Sequence, residues 1–129
     1  MEEAIVAVEE AFREHGKGTA QMPPKAYLYY RKHHGDLRTM PAYLEGMDAT
    51  GVKVVNVHPD NPGAGLPTVM AVMILNSPKT GAPIALMGGT HLTNMRTGAA
   101  GAVAAKYLAR RGSKRVGIIG AGAQGRTQL

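Results

Sequence analysis

Spaced glycines and a few isolated cations are the parts of this chain best equipped for chemistry. Gly120, Gly122 and Gly125 form the pattern Gly-x-Gly-x-x-Gly, directly after the apolar run 116–119. A buried-type strand feeding that pattern is the signature of a dinucleotide-binding turn. Each glycine has a physical task. Gly120 permits the tight strand-to-helix turn. Gly122 leaves room for a pyrophosphate to approach backbone N–H groups. Gly125 lets the helix pack close to its strand. The phosphates would rest on the helix N-terminus, where unpaired donors favour negative charge. The acidic ribose-binding residue expected about 20 residues later falls after Leu129, so NAD and NADP are not separated.

The cations come next. Lys53 sits inside the apolar segment 51–57. Strand alternation puts Lys53 and Val55 on one face, and Val52 and Val54 on the other. A lysine so placed either lines a wet sheet face or is held for a purpose. Arg38 precedes Thr39-Met40-Pro41, and Lys25 follows Pro23-Pro24. By position alone, Arg38 reads as a surface arginine and Lys25 is ambiguous. Arg96 falls near the start of a long helical pattern. A cation in a first turn opposes the helix dipole, so a compensating anion is expected there. The five histidines have no metal-ligand spacing, and there is no cysteine. That excludes disulfides and thiol chemistry, and no metal site is expected. Cations without an obvious acid or base suit a site that holds a carboxylate while a cofactor does the chemistry.

Composition narrows the class. The hydrophobic fraction of 44% supports a packed core, and no apolar run exceeds residues 69–75. That is too short for a membrane span. A cytoplasmic protein with no membrane partner is expected. The net charge of +6 raises nucleic-acid binding. However, the densest basic cluster is Lys106, Arg110, Arg111, Lys114 and Arg115, at an expected helix end where cations complement the dipole. No nucleic-acid partner is expected.

The elements that position these residues can be read in order. Ile5, Val8 and Phe12 recur at helical spacing, giving an amphipathic helix over residues 2–15. Residues 22–24 are an extended lead-in. Strands are expected over 26–32 and 37–44, joined by a hairpin turn at 33–36. Pro41 argues for an edge position or a bulge. Further strands are expected over 51–57, 68–75 and 83–87, with a long loop over 58–67 and a turn at 76–81. An Ala-rich helix is expected over 90–111, ended by Gly112. The fold class is therefore α+β: a helix, a hairpin-linked mixed sheet and a long helix, then the start of an α/β Rossmann domain. Residues 1–112 would form a first domain, and residues 113–129 the opening strand and turn of a second. The chain thus reads as a piece of a longer protein.

Seven ordered segments carry a resemblance. They are residues 21–28, 35–44, 51–56, 58–61, 66–70, 96–100 and 120–124, including Gly35-Asp36-Leu37-Arg38-Thr39-Met40-Pro41 and Gly120-Ala121-Gly122-Ala123-Gln124. Together they resemble the ornithine cyclodeaminase/mu-crystallin family, in its archaeal-type alanine dehydrogenase branch. The resemblance implies a substrate-binding and dimerisation domain followed by a Rossmann domain, with homodimers joined through the N-terminal sheets. It implies that Lys53 contacts substrate at the reacting carbon and that Arg96 grips the α-carboxylate. Lys25 and Arg38 match a basic pair of the dehydrogenase branch that holds substrate carboxylate. Thr93 matches the family's Thr-x-x-Arg. With Gly120, Gly122, Ala123, Gln124 and Gly125, it would contact NAD or NADP. One departure is local: Met87-Gly88-Gly89-Thr90 has glycine where the family usually has aspartate.

The implied activity is an NAD(P)-dependent amino-acid dehydrogenase or imine reductase, taking a small oxo acid such as pyruvate, with ammonia, to the amino acid. Two alternatives within the resemblance are ornithine cyclodeamination with recycled NAD, and non-catalytic ligand holding like that of mu-crystallin.

Overall fold

The computed structural model describes residues 1–129. The chain forms two compact units, one made of Met1–Arg13 with His91–Leu129, the other of Glu14–Thr90.

Helix α1 spans Glu2–Lys17, with Glu2 and Glu3 in its first turn and His15 and Lys17 in its last. Both charge placements complement the helix dipole. Ile5 and Val8 are half-buried, whereas Phe12, in phase with them, is open to solvent. Glu14 is only 4% exposed. Its carboxylate accepts hydrogen bonds from the Thr19 hydroxyl at 2.8 Å, the Gly46 N–H at 2.9 Å and Lys17 Nζ at 3.1 Å. These donors hold the Glu14 carboxyl below the usual glutamate range, the Thr19 hydroxyl contributing most.

Six strands follow: β1 Ala20–Gln21, β2 Ala26–Tyr30, β3 Gly35–Leu44, β4 Ala49–Val57, β5 Val69–Asn76 and β6 Pro83–Gly88. The sheet runs β1-β3-β4-β5-β6, with β2 beside β1 on the same flank of β3. Every pairing is antiparallel. The expected mixed sheet is therefore corrected. The connections between these strands are too short for the crossover that a parallel neighbour needs.

Pro41 has a local edge on one side only. β2 pairs with residues up to Thr39, and β1 pairs at Tyr43 and Leu44. The flank beside Pro41 is thus open where its missing N–H would otherwise be required. On the other flank Pro41 lies opposite Val52.

The first reversal comes earlier than expected. A 3-10 turn covers Arg31–His33 and His34 adopts a left-handed conformation, so Gly35 and Asp36 already belong to β3.

Helix α2 spans Thr90–Leu108, shorter than the expected 90–111. Its start is tied to β5: the Gly89 N–H donates to Ala71 O at 2.7 Å, and the Ala71 N–H donates to Thr90 Oγ1 at 3.0 Å. The tie uses positions 89 and 90, so the departure at Gly88 leaves it intact. A short helix α3 covers Ala123–Thr127.

Residues 116–119 form no strand, and Val116 and Ile119 lie exposed. The opening strand expected there does not form among these residues. A strand needs a paired neighbour for its N–H and C=O groups, and these residues have none in this chain. No helix is long and apolar enough to cross a membrane.

Candidate active-site face of the sheet

The antiparallel register puts Asp36, Arg38 and Met40 of β3 on the same face as Lys53 and Val55 of β4, and Ala71 and Met73 of β5. Val55 and Ala71 are buried at 5% and 7% exposure. Lys53 is half-buried, with Met40 opposite it on one side and Met73 on the other. Its strand lies in the interior of the sheet, and its cross-strand neighbours are apolar.

Arg38 stands opposite Val55, diagonal to Lys53. Its Nε donates to Asp36 Oδ1 at 2.7 Å, and its Nη2 donates to Asp36 Oδ2 at 2.7 Å. The paired guanidinium holds the Asp36 carboxyl below its usual range, and the carboxylate raises the Arg38 value in return. Tyr27 of β2 stands opposite Arg38 in register, and the Arg38 Cζ lies 5.3 Å from its ring centroid. Lys25 Nζ lies 5.9 Å from the same centroid. The Tyr27 and Tyr29 rings stack at 5.8 Å. The structure thus gathers Lys25 and Arg38 around one aromatic ring, on the sheet face that carries Lys53.

Asp36 and Tyr27 were not singled out from the sequence. Asp36 read as a turn residue after Gly35. The two-residue spacing of Asp36 and Arg38 is the signal that puts both on one strand face.

Arg96 and Thr93 lie on α2, in the unit formed by Met1–Arg13 and His91–Leu129. Arg96 is exposed and has no ion-pair partner in the chain. Arg96 lies in the second turn of α2, beyond the first turn where the dipole field is strongest. Thr93 is 8% exposed, and its Oγ1 has no hydrogen-bond partner. Its neighbour Asn94 accepts a hydrogen bond from Gln124 Nε2 at 2.7 Å. Gln128 Nε2 donates to Thr97 O at 3.3 Å. Gln124 thus links the turn 120–125 to α2, and Gln128 adds a second link from just past α3.

Two glycines of that turn are required by geometry. Gly120 has φ +102°, a conformation that L side chains rarely adopt. A Cβ on Gly125 would strike the Gly120 carbonyl oxygen. Gly122 precedes α3 in an extended conformation, and Ala123 is the first residue of that helix.

Comparison with known proteins agrees with this arrangement. The alanine dehydrogenase of Archaeoglobus fulgidus is 60% identical over 129 residues, covering 100% of this chain and 39% of that protein. The structure of the Thermococcus litoralis Δ1-pyrroline-2-carboxylate reductase in complex with NADH and L-proline superposes with a TM-score of 0.95 at 55% identity, covering 99% of this chain and 40% of that one. An archaeal alanine dehydrogenase dimer with bound NAD gives a TM-score of 0.93 at 59% identity, over 99% of this chain and 39% of that one. The chain therefore spans about two-fifths of the length of these relatives. The ornithine cyclodeaminase/mu-crystallin family matches residues 1–129, and the chain belongs to that family.

Proposed function

We propose that this chain is the substrate-binding part of an NAD(P)-dependent amino-acid dehydrogenase or imine reductase of the alanine dehydrogenase type. On this reading, residues 1–112 form the substrate-binding and dimerisation domain, and residues 113–129 open the nucleotide-binding domain. One observation carries the proposal: Lys25 and Arg38 meet at Tyr27 on the sheet face that also holds Lys53. Three cations about one face suit a small anionic substrate with one reacting centre.

The residues fit a dinucleotide. The turn at 120–125 has a left-handed Gly120 and no room for a side chain at Gly125. The buried Thr93 hydroxyl lacks a partner, which is the condition of a group kept for a ligand. Thr93, Gly120, Gly122, Ala123, Gln124 and Gly125 would hold the cofactor, which when bound supplies a hydride to the substrate carbon.

The chain's own residues do the rest. Lys25 or Arg38 holds the carboxylate at the sheet face, and Arg96 is a carboxylate-binding candidate on α2; arginine forks suit bidentate contact. Lys53 donates a proton at the reacting centre, to the oxygen that leaves as water or to the nitrogen that stays. The sum is oxo acid, ammonium, reduced cofactor and a proton giving amino acid, oxidised cofactor and water. A homodimer through the sheet fits the opposite face, where Leu28, Val72 and Leu86 are exposed. A cytoplasmic location goes with this activity.

The test is a complete enzyme in which residues 1–129 replace the matching part of the A. fulgidus relative. Reduced cofactor, pyruvate and ammonium are mixed, and cofactor absorbance is followed. Cofactor oxidation that requires all three is expected. Ammonia release from ornithine without net cofactor change would indicate a cyclodeaminase instead. Binding without turnover would indicate a ligand-holding protein.

A further inference from the structure

Arg38 presents five N–H donors in one plane. Asp36 takes two of them side-on, through Nε and Nη2. That pairing occupies one edge of the guanidinium. The end edge, formed by Nη1 and the second Nη2 hydrogen, remains directed away from Asp36 by the geometry of the fork. It offers two parallel donors at the spacing a second carboxylate needs. Tyr27 stands opposite Arg38 in register, with its ring centroid 5.3 Å from Cζ. One carboxylate and one ring therefore set the plane of the side chain.

Asp36 itself is well anchored. Its backbone is flanked by Tyr29 of β2 and Val57 of β4. A carboxylate beside an arginine also cancels part of its charge. The contribution of Arg38 is then directional more than coulombic, and Lys25, 5.9 Å from the same ring, supplies the uncompensated charge.

We infer that Asp36 and Tyr27 are positioning residues that fix the end edge of Arg38 as the receptor for the carboxylate of a small oxo or amino acid. The inference rests on the proposed role of Arg38 in holding substrate carboxylate. It adds which edge does so and what keeps that edge in place. An arginine already immobilised loses less side-chain freedom when substrate binds, and that loss is typically about 0.5–1.5 kcal/mol.

The test uses steady-state kinetics of the complete hybrid enzyme. Asp36→Asn is expected to raise KM for pyruvate by about two- to tenfold, the fold-change equivalent of that freedom. The kcat, the KM for NADH and the melting temperature should stay near those of the parent enzyme. Asp36→Glu should bring KM back toward the parent value. If Arg38→Lys raises KM while Asp36→Asn leaves it unchanged, the positioning role is overturned and the reading of Arg38 stands. If both leave KM unchanged, Arg38 does not hold the carboxylate and both ideas fall. Should Asp36→Asn fail to fold, Tyr27→Leu removes the ring from the partly exposed flank of Arg38. A KM rise alone supports the inference, and an unchanged KM overturns it.

Discussion

Asn94 Oδ1 accepts a hydrogen bond from Gln124 Nε2 at 2.7 Å. Asn94 is on helix α2, two residues before Arg96. Gln124 is inside the glycine turn. The bond ties the helix that carries the proposed carboxylate arginine to the turn that is proposed to hold pyrophosphate. Gln124 was expected to meet the cofactor directly. Its side-chain Nε2 also has a protein partner, which helps to place the turn. Removing the acceptor with Asn94→Ala should weaken NADH binding by about two- to tenfold, the equivalent of one hydrogen bond of roughly 0.5–1.5 kcal/mol. Fluorescence titration of NADH into the hybrid enzyme checks it. Parent-like affinity would show that the turn is held without this bond.

Arg96 is exposed and makes no ion pair within the chain. A surface arginine of that kind is usually dispensable for stability, with substitutions costing within about 0.5 kcal/mol. Arg96→Ala should therefore leave the melting temperature almost unchanged. If the residue grips the substrate, KM for pyruvate should rise by about tenfold or more, since hydrogen bonds to charged groups are worth roughly 1.5–3 kcal/mol. NADH affinity should change little. A KM within twofold of the parent would assign Arg96 to the solvated surface.

The strands with strong alternation were legible in the sequence. The valines of β4 and the turn before Gly81 mark their own positions, because burial on a face imposes period two. The two-residue β1 was not legible, since no periodicity exists over so short a run. The strand expected at 116–119 rests on an apolar run ahead of a glycine pattern, with no second strand in view. Pairing is a property of two segments, and one run cannot reveal whether a neighbour is present. In the site, Lys53 and Arg38 could be named, but their shared face follows from the β3–β4 register, which spacing in a single strand does not give. Asp36 was obscured by its glycine neighbour, which made the pair look like a turn.

Glu9 provides a pH test that is independent of any ligand. Its carboxylate accepts from Lys106 Nζ at 2.7 Å, from the Tyr107 hydroxyl and from Arg13 Nη2 at 2.9 Å. These contacts, Lys106 first, lower its pKa from the usual 4.5 to about 2. A carboxyl depressed in the folded state stabilises that state above its unfolded pKa, and the contribution is lost as pH falls through the folded value. Between pH 4.5 and about 2, the folded chain should lose this contribution progressively. Glu9→Gln should flatten the melting-temperature profile in that window and change little in its slope above it. An unchanged acid limb would show that the three contacts are too well solvated to matter.

Lys53 is the residue on which the proposed chemistry turns. It lies in the interior strand β4, between Met40 and Met73, on the face of the buried Val55. Methionine at this position would match its apolar cross-strand neighbours and approximate the length of the lysine stem. Lys53→Met should therefore retain the fold and the melting temperature, and NADH should still bind. What the substitution removes is the ammonium group proposed to act at the reacting centre. General acid–base groups contribute about 10²–10⁴-fold to rate, so kcat for reductive amination should fall within that range. KM for pyruvate should change less, because Lys25 and Arg38 are the groups on that face proposed to hold the carboxylate. Near-parent kcat in Lys53→Met would mean that the lysine only lines the sheet, and the proton would have to come from a residue outside this chain.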